Sequence, residues 1–411
     1  MIERITLLGS SSGRNAGDAA LIASIMDSID ETLGRRITYE IPTIRASYIR
    51  DQYDNDTVPI GMMPWHGSVK MLGVPTIRSI MRTDLTLIFD AILFDRSLYN
   101  PLFNFMWTLN LMLPYAKKRG KQIGFFNVGT GPVNTDPGKR ILKNLSELAD
   151  FITTRDNASE QILANLNVEN PRRVTLADAA VRLKPCSDER VDEIFRELKL
   201  DPAQPILGIN VNRYIDTWAD DGSRESMGKD AFARTMAAAI DRMTAEHKMP
   251  VLFVNTQHHD VEIAELVASK MAKHTPVAFA NNVVYNHYEI KGVLSRVDLL
   301  FAMRLHANIL ASSALSPIVG LNYQPKVKFY FELLGLDEYT MSFDEFTIDG
   351  VHAHLEKGWA EREQIGAALR ERMPHLQSRA HAAAQFVKAI DEGTSLDDAL
   401  TRIKSDQLEF L

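Results

Sequence analysis

Three basic residues late in the chain have types and spacing suited to chemistry on an anion: Arg304, His306 and Lys326. Arginine offers a planar fork of donors to a carboxylate or phosphate, and lysine a point charge. Histidine exchanges a proton near neutral pH. The elements that must position them are legible around them. The apolar run Val297 to Met303 predicts a short buried strand, and 306–314 a helix with Leu305, Ile309 and Leu310 on one side. Pro317 to Leu321 predicts a second buried strand, ending at Asn322 to Pro325, after which Lys326 opens a helix. Each basic residue therefore falls where a strand hands over to a helix, the ligand-binding edge of an open α/β sheet. Helix N-termini add unpaired N–H groups and a partial positive charge. A single arginine or lysine is most often just solvated. Two successive strand ends converging on one edge favour an anion trap instead.

The other end of the chain repeats the pattern. Arg4 to Leu8 predicts a buried strand, residues 9–18 a small-residue loop, and 18–33 a helix with Leu21, Ile22, Ile25, Met26 and Ile29 in register. The loop has neither the G-x-G-x-x-G spacing nor a Walker lysine, so dinucleotide and P-loop readings are poor. Asp18 reads either as a cap of its helix or as a carboxylate that accepts a proton from a hydroxyl. Asn15 suits substrate or loop backbone equally, and Gly17 lies between the two.

Further candidates sit at other strand ends. Gly129 and Gly131 follow the predicted strand 121–128 and either leave room for a ligand or form a tight turn. Arg155 ends the strand 151–155, free to meet a ligand anion or to pair with Asp156 or Asp178. Asn210, Asn212 and Arg213 end the strand 205–211. His258-His259-Asp260 invites a metal reading, but adjacent residues on one loop rarely aim at one ion. Asp260 reads instead as the cap of helix 261–272, and no metal ligand set is signalled.

Taken in order, these motifs resemble the polysaccharide pyruvyl transferase family: Gly13-x-Asn15-x-Gly17-Asp18-x-x-Leu21, then Gly129-Thr130-Gly131-Pro132, Thr154-Arg155-Asp156-x-x-Ser159, Arg304-Leu305-His306, and Tyr323-x-x-Lys326-Val327. The resemblance runs from about residue 5 to 336. It implies two Rossmann-like halves facing a cleft, as in GT-B enzymes, and transfer of pyruvate from phosphoenolpyruvate to saccharide hydroxyls as a ketal, in cell-surface or exopolysaccharide biosynthesis. It implies that His306 and Asp18 act in catalysis. Arg304, Lys326, Arg155 and Arg213 would bind the donor, and Asn15, Gly17, Gly129 and Gly131 would shape the acceptor side or its loops. Phosphoenolpyruvate is then a co-substrate, and no resident cofactor is expected. One departure stands out: Asp90-Ala91 replaces a glycine pair usual in the family, which bears on the acceptor more than the donor. The alternatives are a nucleotide-sugar glycosyltransferase on the same fold and a non-catalytic saccharide-binding relative.

Composition agrees with a globular α/β chain. The 411 residues are 45% hydrophobic and 24% charged, with net charge −7. That length suits two domains rather than one core, and the acidity argues against nucleic acid as a partner. The expected division is 1–185, an N-terminal half on the acceptor side, and 186–411, a C-terminal half on the phosphoenolpyruvate side that ends in long polar helices. Residues 42–83 read as irregular and as part of the acceptor side, and 214–230 as a mobile loop. One cysteine, Cys186, allows no intrachain disulfide and fits a reducing cytoplasm. The opening Met-Ile-Glu-Arg shows no leader pattern, and no apolar run is long enough to span a bilayer. The nearest, Leu102 to Ala116, is broken by Asn104, Asn110 and Pro114 and reads as a buried or partner-facing helix. A cytoplasmic enzyme is expected, at the inner face of the membrane if its acceptor is lipid-linked. Membrane-surface contact and homo-oligomerisation are left open.

Overall fold

A computed structural model describes residues 1–61, 73–90, 92–100, 104–201, 203–213 and 227–408. The chain divides into two compact units. The first comprises 1–13, 18–182 and 375–411, and the second 14–17 and 183–374. Each is a Rossmann-like α/β unit, and the fold class is GT-B-like as expected.

The first unit is built on seven parallel strands: β1 (Arg4–Leu8), β2 (Thr38–Thr43), β3 (Thr57–Gly61), β4 (Leu85–Ile88), β5 (Gln122–Val128), β6 (Phe151–Thr154) and β7 (Arg173–Thr175). Their order is β3-β2-β1-β4-β5-β6-β7. β1, β4 and β6 are buried along all or nearly all of their length, because helices cover both faces of a parallel sheet. The apolar faces of helices Met106–Lys118 and Asp136–Leu148 pack on β4 and β5 through Leu109, Leu113, Leu142 and Leu145. Met106, Leu109, Met112 and Leu113 of the first of these are buried, which fits the expected buried helix. Among the described residues no helix is long and apolar enough to cross a membrane.

The sequence reading of 42–83 as irregular is corrected in part. This stretch holds helix Ala46–Asp51, β3 and helix Gly73–Arg82; strand β3, Thr-Val-Pro-Ile-Gly, is too short and too interrupted by proline for its alternation to show. Residues 62–72 lie outside the described residues. The last helices also differ from the expected division at residue 185, since 375–411 pack within the first unit. There Phe386 stacks on Phe151 with centroids 4.6 Å apart. Asn127 Nδ2 donates to the Ala380 carbonyl at 2.9 Å, and Arg35 pairs with Asp391 at 2.6 Å.

The second unit is built on six parallel strands: β8 (Leu207–Asn210), β9 (Val251–Asn255), β10 (Val277–Asn281), β11 (Leu299–Ala302), β12 (Ile318–Asn322) and β13 (Thr340–Ser342). Their order is β10-β9-β8-β11-β12-β13. β8 and β11 are neighbours in register, Leu207 beside Leu299 and Asn210 beside Ala302. β8 connects onward to β9 on one side and β11 to β12 on the other, so the sheet reverses its strand order between them. The predicted loop 214–230 lies outside the described residues up to 226.

Candidate active site

The crevice at the carboxyl ends of β8 and β11 is where an open α/β sheet binds ligand. Side chains from four strand ends meet there. Asn210, fully buried at the end of β8, donates to the Val254 carbonyl at 2.8 Å and accepts from Arg304 N–H at 3.1 Å. That pair sets the backbone from which the Arg304 side chain departs. The guanidinium then meets the Asp260 carboxylate with both forks: Nη2 donates to Oδ1 at 2.7 Å and Nε to Oδ2. Nη2 also donates to Asn212 Oδ1 at 3.1 Å, and Arg213 N–H donates to Asp260 Oδ1 at 3.0 Å. Asp260 is fully buried and the Arg304 side chain 13% exposed. A fork-to-fork pair of this kind fixes the plane of the guanidinium as well as its position. Tyr323, just past β12, lies beside them. Burial raises its hydroxyl above the ordinary range, with the Arg304 charge working the other way, so it stays protonated.

The sequence reading of Asp260 as a helix cap is corrected. The residue stands at the cap position of helix Val261–Lys270 but makes no side-chain cap bond, because its carboxylate belongs to Arg304. Its partner lies 44 residues away, which no local pattern reveals. The neighbouring histidines part company: His258 Nε2 lies 3.3 Å from the Asn282 carbonyl, and His259 is exposed.

His306 is the second residue of helix Leu305–Ser313. Its ring lies against the segment 14–17, which belongs to this unit. That segment is stitched to the end of β9 by Ala16 N–H to the Thr256 carbonyl at 2.7 Å, His258 N–H to the Arg14 carbonyl at 3.0 Å, and an antiparallel bridge of Asn15 to Gln257. A β-carbon on Gly17 would stand 2.2 Å from His306 Cγ, so only glycine lets the ring approach. Asn15 Oδ1 accepts from Gly17 N–H at 2.9 Å; of its two readings the structure shows the loop-backbone one, a cap on helix Ala16–Leu33. Lys326 is exposed in the first turn of helix Pro325–Leu334. The Arg213 side chain is 40% exposed and lies 3.9 Å from Glu262.

The remaining candidates lie in the first unit. Asp18, in the first turn of its helix, accepts from Ser10 Oγ at 2.6 Å. Arg155 is 7% exposed and bonded to Asp156 at 3.3 Å and to Asp178 at 3.2 Å. Burial opposes its charge, and the carboxylates of Asp178, Asp156 and Asp90 more than reverse that. Gly129 touches this guanidinium closely, since a β-carbon there would come within 2.7 Å of it. Gly131 has φ +84°, a conformation that favours glycine. Asp90 adopts φ +66°. Aspartate enters this left-handed region more readily than most residues. Ala91 lies outside the described residues.

No protein of curated function matches the sequence. Solved structures match along nearly the whole chain. MnaA from S. aureus, solved with UDP, is 11% identical over 95% of this chain and 96% of its own, at TM-score 0.61. HepE from Anabaena, solved with UDP and glucose, is 11% identical over 100% of both chains, at TM-score 0.57. The UDP-GlcNAc 2-epimerase of Neisseria meningitidis, bound to UDP-GlcNAc, is 11% identical over 93% of this chain and 98% of its own, at TM-score 0.58. At such identity the likeness is one of fold. The family model described as polysaccharide pyruvyl transferase matches residues 15–325, from Asn15 through the Arg155 and Arg304 strand ends to the first turn before Lys326. With most of its length inside that match, the chain belongs to the polysaccharide pyruvyl transferase family.

Proposed function

We propose that this transferase moves pyruvate from phosphoenolpyruvate to two hydroxyls of a saccharide, forming a ketal. The observation that carries the reading is the Asp260-held Arg304 at the strand-order reversal, with His306 two residues on at a helix N-terminus. Phosphoenolpyruvate presents a carboxylate and a phosphate. Arg304 and the helix N-terminus behind it suit one of these anions, and Lys326 and Arg213 the other.

The chemistry needs a proton on the enol methylene, which becomes a methyl group and leaves the central carbon electrophilic. His306 supplies that proton. One saccharide hydroxyl adds to the central carbon, the C–O bond to phosphate breaks, and a second hydroxyl closes the ketal. The two hydroxyl protons balance the one placed on carbon and the one carried by departing hydrogen phosphate. Protonation and addition at carbon call for no resident cofactor. Asp18 is assigned the acceptor hydroxyl. Arg155, whose charge is answered by three carboxylates, is read here as the residue that holds the end of β6 in place, not as a donor contact. The donor is an intracellular metabolite, so we place the reaction in the cytoplasm, at the inner membrane face if the acceptor is lipid-linked.

Calorimetric titration of the wild type and Arg304→Ala tests this reading, with phosphoenolpyruvate and separately with uridine and guanosine diphosphate sugars. Phosphoenolpyruvate binding that is lost in the variant is the expected result. Binding of a nucleotide sugar alone would replace the proposal with glycosyl transfer; on this fold HepE was solved with UDP and glucose and MnaA with UDP.

A further inference from the structure

Two helices of the second unit bring together two imidazoles and two carboxylates away from the strand ends described above. Glu246 and His247 close helix Lys229–His247, and His352 and Glu356 lie one turn apart on helix Ile348–Ala360. His247 Nε2 stands 2.9 and 3.0 Å from the two Glu356 oxygens. His352 Nε2 stands 3.3 Å from Glu246 Oε1 and 3.8 Å from Glu356 Oε1. The ligating atoms of Glu246, His247 and Glu356 all fall within 4.8 Å of one another.

A tetrahedral ion with bonds of about 2.0–2.1 Å spaces its ligands about 3.3 Å apart, and the separations found here bracket that value. His352 Nε2 is buried and makes no hydrogen bond among the described residues, although two carboxylates lie within ion-pair reach. Mixed imidazole and carboxylate donors suit zinc and its neighbours in the transition series, whereas calcium and magnesium take oxygen alone.

We propose that Glu246, His247 and Glu356, with His352 beside the two carboxylates, bind one divalent transition-metal ion, zinc by class. His247 ends the helix that leads into β9, so the cluster lies at the opposite edge of the sheet from Arg304. The ion therefore takes no part in transfer and instead ties helix Ile348–Ala360 to helix Lys229–His247.

The test is zinc titration of the metal-stripped full chain by calorimetry and native mass spectrometry, beside the double variant His247→Gln/His352→Gln. The expected result is one zinc per wild-type chain and a higher melting temperature with zinc. Affinity should fall in the variant by more than the roughly 10–100-fold that losing an outer-sphere partner costs. No uptake by the wild type, or equal uptake by the variant, overturns the proposal. Should the variant fail to fold, cobalt added to the wild type decides. The strong visible absorption of a four-coordinate site supports the proposal, and the weak spectrum of six-coordinate cobalt overturns it.

Discussion

Both units open at the carboxyl ends of their central strands, yet they treat the arginine they bury there differently. In the first unit Arg155 is answered by Asp156 and Asp178, with the Asp90 charge close by. In the second, among the described residues, Arg304 meets the carboxylate of Asp260 and the neutral side chain of Asn212. A cation whose charge is over-answered is a brace. A cation gripped by a bidentate partner keeps its plane and position. Among the described residues, the same fold thus surrounds one buried arginine with several carboxylates and holds the other by a bidentate carboxylate and an amide.

Four outcomes would sharpen or break this contrast, and the largest concerns His306. His306→Ala should lower turnover about 10²–10⁴-fold, the usual worth of a general acid, with phosphoenolpyruvate affinity nearly unchanged. Phosphate release within about twofold of wild type would remove the histidine from the chemistry. Next come the two carboxylate partners. Removing one member of a buried pair costs about 3–5 kcal/mol, so Asp260→Ala and Asp178→Ala should both destabilise the protein to urea. Only Asp260→Ala should also weaken phosphoenolpyruvate binding, by about tenfold or more. Donor affinity that holds in both variants would make Arg304 a brace like Arg155.

Acid should act on the second unit through His287, which burial pulls down to about 3. Below about 6.5 the unfolded chain takes up a proton that the folded state refuses, so this contribution to stability is lost as pH falls from that value towards 3. At pH 5 the loss is about 2 kcal/mol. His287→Gln should flatten it, as read by hydrogen exchange over β10 and β11; an unchanged pH dependence would point to another group. Effects of similar size concern two glycines. Gly17→Ala crowds the His306 ring and Gly129→Ala crowds the Arg155 guanidinium, each costing about 1–3 kcal/mol of stability. Gly17→Ala should in addition lower turnover about ten- to a hundredfold, because catalysis is sensitive to shifts of about 1 Å. Equal turnover in the two variants would count against a catalytic ring at 306.

Much of the fold was legible because it depends on near neighbours. Val297 to Met303 and Pro317 to Leu321 read as buried strands; the first contains β11 and the second all of β12 but its last residue, Asn322. The same pattern placed Arg304, His306 and Lys326 at strand ends. It failed where elements are short, as in β3. Asp260 shows a different failure. Its position before a helix predicted a cap, and a buried guanidinium outcompeted the backbone N–H groups for both of its oxygens. Asn210 and Asn212 were legible as strand-end residues, but not as the pair that sets Arg304.

By itself the sequence determined the alternation of strands and helices, the glycine positions, the family and the residues that end each strand. These follow from backbone sterics and from side-chain periodicity over a few residues. Tertiary structure alone decided that Asp260 holds Arg304, that Gly17 lies under His306, that residues 14–17 belong with the second sheet, and that 375–411 return to the first. Those pairings join residues far apart in the chain, and sheet order, not local propensity, brings them together.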